Sequence, residues 1–189
     1  MLKILKNLIF EIKSFFFSIK MIIELKKIKP KFIFFSEEKS YQKFSKPIID
    51  VLIDQYPDQI YYLSIDKNDK IRNERVRNYF IHYFLINFIF NYIYAENIFM
   101  TITDLDNHLI KKTKKIKKYI YYFHSPNSTT KSYTTEAFDN YDIILCNGEF
   151  QIKEIKLRER LKNLNKKKLI PTGYFYLDAL SEKINRNKN

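Results

Sequence analysis

Glycine is nearly missing from this chain: Gly148 and Gly173 are the only two in 189 residues. A P-loop or a G-x-G-x-x-G turn needs several glycines for close backbone approach to phosphate, so neither is present. Any phosphate must be held by side chains or by the amino terminus of a single helix. Cysteine is reduced to Cys146, which sits inside an apolar run. It cannot form an internal disulfide, which suits a reducing cytoplasm, and it reads as a small core residue. Acidic residues are outnumbered, 21 Asp+Glu against 34 Lys+Arg, for a formal charge of +13. Such an excess attracts anionic polymers, anionic lipid surfaces and nucleic acids.

Hydrophobic residues make up 46% of the chain and aromatics 17%, which argues for a folded core and against disorder. The length suits one domain with an appendage. The appendage is residues 1–29. Leu5, Leu8, Ile9, Ile12, Phe16, Ile19 and Ile23 recur at helical spacing, with Lys6, Lys13, Lys20 and Lys27 interleaved. Charges interrupt this run too often for a transmembrane span, and no small-residue cleavage site follows it. A basic amphipathic helix of this kind lies on an anionic membrane surface or packs against the domain or a partner. Pro30 marks the boundary, and residues 30–189 form the domain.

Apolar, β-prone runs predict strands at 31–37, 60–65, 97–103, 119–123, 143–146 and 168–171. Helices are expected at 45–56, with Pro47 in the first turn, at 135–140, 149–164 and 177–185. The stretch 66–78 is expected to be a loop with a short helix. The very apolar 79–95 reads as a buried helix; His82, Asn87 and Asn91 interrupt it as a membrane span. Alternating strands and helices imply an α/β fold, a Rossmann-like parallel sheet with helices on both faces. The strands are continuously apolar, as burial on both faces requires.

The segment from Tyr119 to Lys131 carries the chemistry. An apolar strand ends in His124, a loop of Ser125, Asn127, Ser128, Thr129 and Thr130 follows, and Lys131 closes it. Ligands of α/β sheets bind at the carboxyl ends of strands. An imidazole there has a pKa suited to general-base work, or it merely bonds its own loop. The loop hydroxyls are substrate donors or turn formers. Gly148 and Gly173 each follow a strand, where glycine permits positive φ or close ligand approach. Thr103 and Asp104 lie in Thr101-Ile-Thr-Asp-Leu-Asp106, expected at the end of the third strand. Its Asp-x-Asp would hold a divalent metal in a sugar-nucleotide glycosyltransferase; the favoured reading is a loop of an acceptor pocket, with no metal and no cofactor. Lysine clusters at 111–118 and 153–168 are solvated faces or polyanion surfaces. The aromatics lie within apolar runs and no nucleic-acid-binding motif occurs, so nucleic acid is not an expected partner.

Three segments together resemble the CDP-glycerol glycerophosphotransferase family: His124…Lys131, Tyr141-Asp142…Gly148, and Thr172-Gly-Tyr174…Asp178. The resemblance runs from about residue 31 to 180 and matches the amino-terminal half of such enzymes. It departs from the pattern at Ser125, where the family often has glycine. It implies a single GT-B-type amino-terminal domain on the acceptor side. His124 would be the base and Lys131 a phosphate clamp. Glycerol phosphate would pass from CDP-glycerol, or a related nucleotide-activated donor, to a hydroxyl of a membrane-attached polymer acceptor. The donor nucleotide is expected to be held by a missing or separate domain, and the location is expected on the inner face of the cell membrane. The rival expectations are a non-enzymatic membrane-docking scaffold and a sugar-nucleotide glycosyltransferase using Asp104 and Asp106.

Overall fold

The computed structural model describes residues 2–107 and 110–186. Seven strands form one fully parallel sheet: β1 (Phe32–Ser36), β2 (Ile60–Ser64), β3 (Val76–Phe80), β4 (Ala95–Met100), β5 (Ile116–Tyr122), β6 (Ile143–Cys146) and β7 (Lys168–Pro171). Their spatial order is β3-β2-β1-β4-β5-β6-β7. The chain builds outward from β1 in one direction and from β4 in the other. This is the doubly wound, Rossmann-like arrangement, with its topological switch point between β1 and β4.

Burial on both faces explains the strand sequences. In β1 every residue is buried; Ile33 and Phe35 point into one core, Phe32 and Phe34 into the other. Phe34 stacks on Phe99 of the adjacent β4 with ring centroids 4.5 Å apart. Among the described residues five α-helices cover the sheet: α1 (Leu2–Ile28), α2 (Gln42–Gln55), α3 (Ile86–Tyr92), α4 (Glu149–Leu161) and α5 (Phe175–Arg186). One face takes α1 through Met21 and Leu25, α3 through Ile86 and Ile89, and α4 through Ile152 and Ile155. The other takes α2 through Ile48, Ile49 and Ile53, with Phe175 of α5 packed against it. Each fully buried Phe or Ile contributes about 1.5–3 kcal/mol, so both layers are needed to hold the sheet.

Helix α1 runs antiparallel to β3. Its Phe10 and Phe15 meet Phe80 and His82, while Glu24 pairs with Arg77 at 3.7 Å and accepts from Tyr79 at 2.7 Å. Buried Ser18 accepts the His82 N–H at 3.0 Å, which lets the helix approach the strand end closely.

The structure corrects several expectations. The run 79–95 is not one helix: β3 ends at Phe80, a 3-10 turn spans Tyr83–Leu85, and α3 has only seven residues. Strand β3 begins inside the charged stretch read as a loop with a short helix. Edge position tolerates Arg77 and Asn78, which is why apolar patterning missed it. The carboxamide of Asn78 holds the preceding loop through the Ile71 N–H at 2.8 Å and carbonyl at 3.0 Å. Residues 135–140 form successive turns, not a helix: the N–H groups of Ala137, Asp139 and Tyr141 bond three residues back. Helix α2 starts at Gln42, placing Pro47 in its interior; the carbonyl that loses its partner belongs to exposed Lys43.

Candidate functional site

The carboxyl ends of the central strands gather the candidate groups. His124 lies two residues beyond β5 and is half-buried. Its ring stands edge-on to Tyr41 at 5.2 Å and lies 6.2 Å from Phe44. Its Nδ1 is buried without a hydrogen-bond partner. Burial holds the imidazole below its ordinary pKa of 6.5, so the ring is neutral at neutral pH.

The Thr172-Gly173-Tyr174 segment closes over this histidine. Thr172 is tied to β6, its N–H and hydroxyl donating to the Cys146 carbonyl at 2.9 and 3.2 Å. Gly173 then takes φ +73°, where a side chain is disfavoured. That turn delivers the Tyr174 hydroxyl to the His124 carbonyl at 3.0 Å. Tyr174 stacks on Phe44 at 6.2 Å, and Tyr176 packs on Phe44 at 5.8 Å. Two segments fifty residues apart therefore meet at one aromatic-walled histidine.

The loop after His124 is differently occupied. Glu154 of α4 accepts from the Ser128 hydroxyl at 2.7 Å and from both the N–H and hydroxyl of Thr129 at 2.6 Å. Burial works to raise the Glu154 pKa, but the bonds from Thr129 and Ser128 prevail and lower it. These hydroxyls thus face a built-in carboxylate. Buried Gln151 donates to the Asn127 carbonyl at 2.9 Å and accepts the Asn147 N–H at 2.7 Å. Asn147 in turn donates to the Ser125 carbonyl at 3.0 Å. The Ser125 hydroxyl lies 3.4 Å from that of Tyr133. Lys131 is exposed at the end of this anchored turn, its N–H on the Ser128 hydroxyl at 3.3 Å.

The other candidates separate. Gly148 precedes α4 with φ −172°, extended backbone open to any residue; an added Cβ would meet the Phe150 ring at 3.2 Å. Strand β4 stops at Met100, so Thr103 and Asp104 belong to a sharp loop rather than a strand end. Asp104 and Asp106 take φ of 60° and 71°. Asp104 accepts the Thr134 hydroxyl at 2.6 Å and Asp106 the Lys112 N–H at 3.0 Å. No cluster of three or more metal-ligating side chains exists among the described residues, and His108 lies outside them. Tyr141 donates to the Ile102 carbonyl and Asp142 accepts the Tyr119 N–H at 2.8 Å, so that pair of the motif braces the strands. Burial, then Glu149, pushes the Cys146 thiol up to about 12; it is a core residue. His82 caps the 3-10 turn, accepting the Phe84 N–H at 3.4 Å.

Compared with known proteins, the chain matches no family model, no curated protein and no solved structure.

Three features were not foreseen from sequence. Glu37 follows β1 at the switch point, half-buried, its pKa raised by burial and then by Glu38. Burial, then the charges of Glu37 and Glu38, raises the hydroxyl pKa of Tyr41, which flanks His124. Glu37 is therefore a second titratable group at this edge, and only the strand order reveals it. Buried Asp69 accepts from Ser36 at 2.6 Å, Tyr62 at 2.9 Å, Ser64 at 3.0 Å and Gln42 at 3.1 Å, locking the ends of β1 and β2. The third is the Glu154 anchor. A cleft of about 230 Å³ lies behind that anchor between Phe138 and Leu157. Its flanking Glu154 and Arg158 are already bonded, Arg158 to Asp139 at 2.7 Å, so the strand-end edge is the better site.

Proposed function

We propose that this chain is the acceptor-side half of a CDP-glycerol glycerophosphotransferase-like enzyme. The observation that carries the reading is the meeting of its two motif segments, Tyr174 donating to the backbone of His124 behind a glycine that only positive φ explains. Neutral His124 is suited to take the proton of an acceptor hydroxyl once a movement of the site uncovers Nδ1, which is buried and unpaired. The freed oxygen attacks the phosphorus of the donor's glycerol phosphate. A new O–P bond forms, the bond to the nucleotide breaks, and CMP leaves with its electron pair. Tyr41, Phe44 and Tyr174 would wall the acceptor, and Lys131 would meet phosphate after rearrangement of its turn. The donor nucleotide would be held by a second domain or a separate chain, at the inner face of the cell membrane. Among the described residues, no helix is long and apolar enough to cross a membrane.

A non-catalytic scaffold is the second reading. It is favoured by Glu154, which already occupies the Ser128 and Thr129 donors. Calorimetric titration separates the two. The transferase reading expects a glycerol phosphate oligomer to bind this chain, CDP-glycerol not to bind it alone, and His124→Ala to weaken oligomer binding. Saturable CDP-glycerol binding competed by CDP would disprove the half-enzyme account. No binding of either ligand would leave the scaffold.

A further inference from the structure

Large apolar side chains are exposed unevenly over this molecule. Of the eighteen such residues among the described ones, eight lie on α1 and four on the segment Tyr83 to Tyr92. Single exposed apolar residues are ordinary, but a contiguous group marks an interaction surface. These two groups are contiguous. Helix α1 contacts α3, and a chain of rings links them: Phe16 to Phe15 at 6.0 Å, Phe15 to His82 at 6.4 Å, His82 to Phe84 at 5.5 Å. Phe84 is 81% exposed and Phe16 65%. The buried side of α1 is spent on Ser14, Ser18, Met21, Ile22 and Leu25, so its second apolar ridge of Ile12, Phe16 and Ile23 faces away from the domain.

Charge identifies what covers this face. Lys13 and Lys20 are exposed next to the outer ridge on α1. Lys67 sits over Phe10 at 5.0 Å and Lys115 over Tyr92 at 5.0 Å, so cations stand at both margins of the patch. Glu24 is turned inward to Arg77 and Tyr79. Aromatics with tyrosine hydroxyls at their edge and a lysine rim match the boundary of an anionic bilayer, where rings enter the acyl margin and ammonium groups meet phosphate.

We propose that the outer ridge of α1 and the Tyr83–Tyr92 segment form one docking face for an anionic lipid surface. The face begins at the carboxyl end of β3, where Phe10 and Phe15 pack beside Phe80 and His82 and Tyr83 follows directly, and runs along the flank of the sheet to Tyr92, beside Lys115 at the amino end of β5. The proposal is independent of the transfer reading, since a chain without transferase activity would still dock.

The test is sedimentation of the full chain with phosphatidylcholine vesicles, with and without about one third phosphatidylglycerol. Neither vesicle contains an acceptor polymer. The chain is expected to pellet with the anionic vesicles and stay in solution with the neutral ones. Phe16→Ser with Phe84→Ser, both exposed and therefore near-neutral for folding, should weaken the partition about tenfold or more. Lys13→Glu with Lys20→Glu should weaken it comparably and remove most of its salt dependence. Failure of the wild-type chain to bind anionic vesicles overturns the proposal. So does undiminished binding by the phenylalanine pair, which would mean unspecific charge attraction. So does a wild-type dimer that the phenylalanine pair splits, which would assign the face to a second copy.

Discussion

His124 and Thr129 stand five residues apart in one loop, and their hydrogen-bonding situations are opposite. Thr129 is buried with its N–H and hydroxyl both given to Glu154 at 2.6 Å. His124 is half-buried with Nδ1 given to nothing. Both residues looked like ligand contacts in the sequence. A polar group whose bonds are satisfied within the fold supports structure, while one buried unpaired beside a strand end keeps a bonding capacity that only a movement of the site can fill.

Glu154→Ala should give the largest effect. It strands two buried Thr129 donors and should cost about 1–3 kcal/mol, read as a lower urea midpoint with unchanged slope. His124→Ala should cost less than this, since no side-chain hydrogen bond is lost. If the two variants destabilise equally, the contrast fails.

Acid sharpens the comparison. Burial lowers the His124 pKa, so the folded state resists protonation and the unfolded state takes it up first. Its contribution is present above the ordinary value of 6.5 and is lost as pH falls below it. The Glu154 pKa is also lowered, so its contribution is present above the ordinary 4.5 and is lost as pH falls toward the folded value. Stability measured against pH should fall in two stages. His124→Ala should erase the upper stage and Glu154→Gln the lower one. Persistence of the upper stage in His124→Ala would transfer it to another group.

Smaller effects test the closure over His124. Gly173→Ala should cost about 1 kcal/mol because φ +73° strains a residue with a Cβ. The same change at Gly148 has no such backbone penalty, and its effect depends on whether the Phe150 ring can shift. Tyr174→Phe should cost about 0.5–1.5 kcal/mol by removing the bond to the His124 carbonyl. Thermal melts of these three variants would rank them.

The legible parts of the fold were those with continuous apolar runs. Strands β1, β2, β4, β5 and β6 announce themselves because burial demands such residues, and half-exposed β7 at the far edge shows through Leu169 and Ile170. The edge strand β3 was hidden, since Arg77 can face solvent there and Asn78 spends its carboxamide on the loop before it. Its absence from the reading made 79–95 look like one helix. At the site, His124 stood out because a histidine ending an apolar strand is unusual in composition. Glu37 did not, because its importance depends on β1 and β4 lying side by side. Ser128 and Thr129 read equally as substrate donors or as turn formers, because their partner Glu154 arrives from a helix twenty-five residues beyond Thr129.

The sequence alone therefore determined the fold class, the parallel sheet, the basic surface and the exclusion of glycine-rich phosphate loops. These depend on local pattern and composition, which act within a few residues. Tertiary structure decided which polar groups remain open, that Tyr174 closes on His124, and that the apolar ridges of α1 and the Tyr83–Tyr92 segment share one surface. Those outcomes depend on which distant elements meet, and satisfaction of a hydrogen bond or covering of an apolar face is a property of the pair.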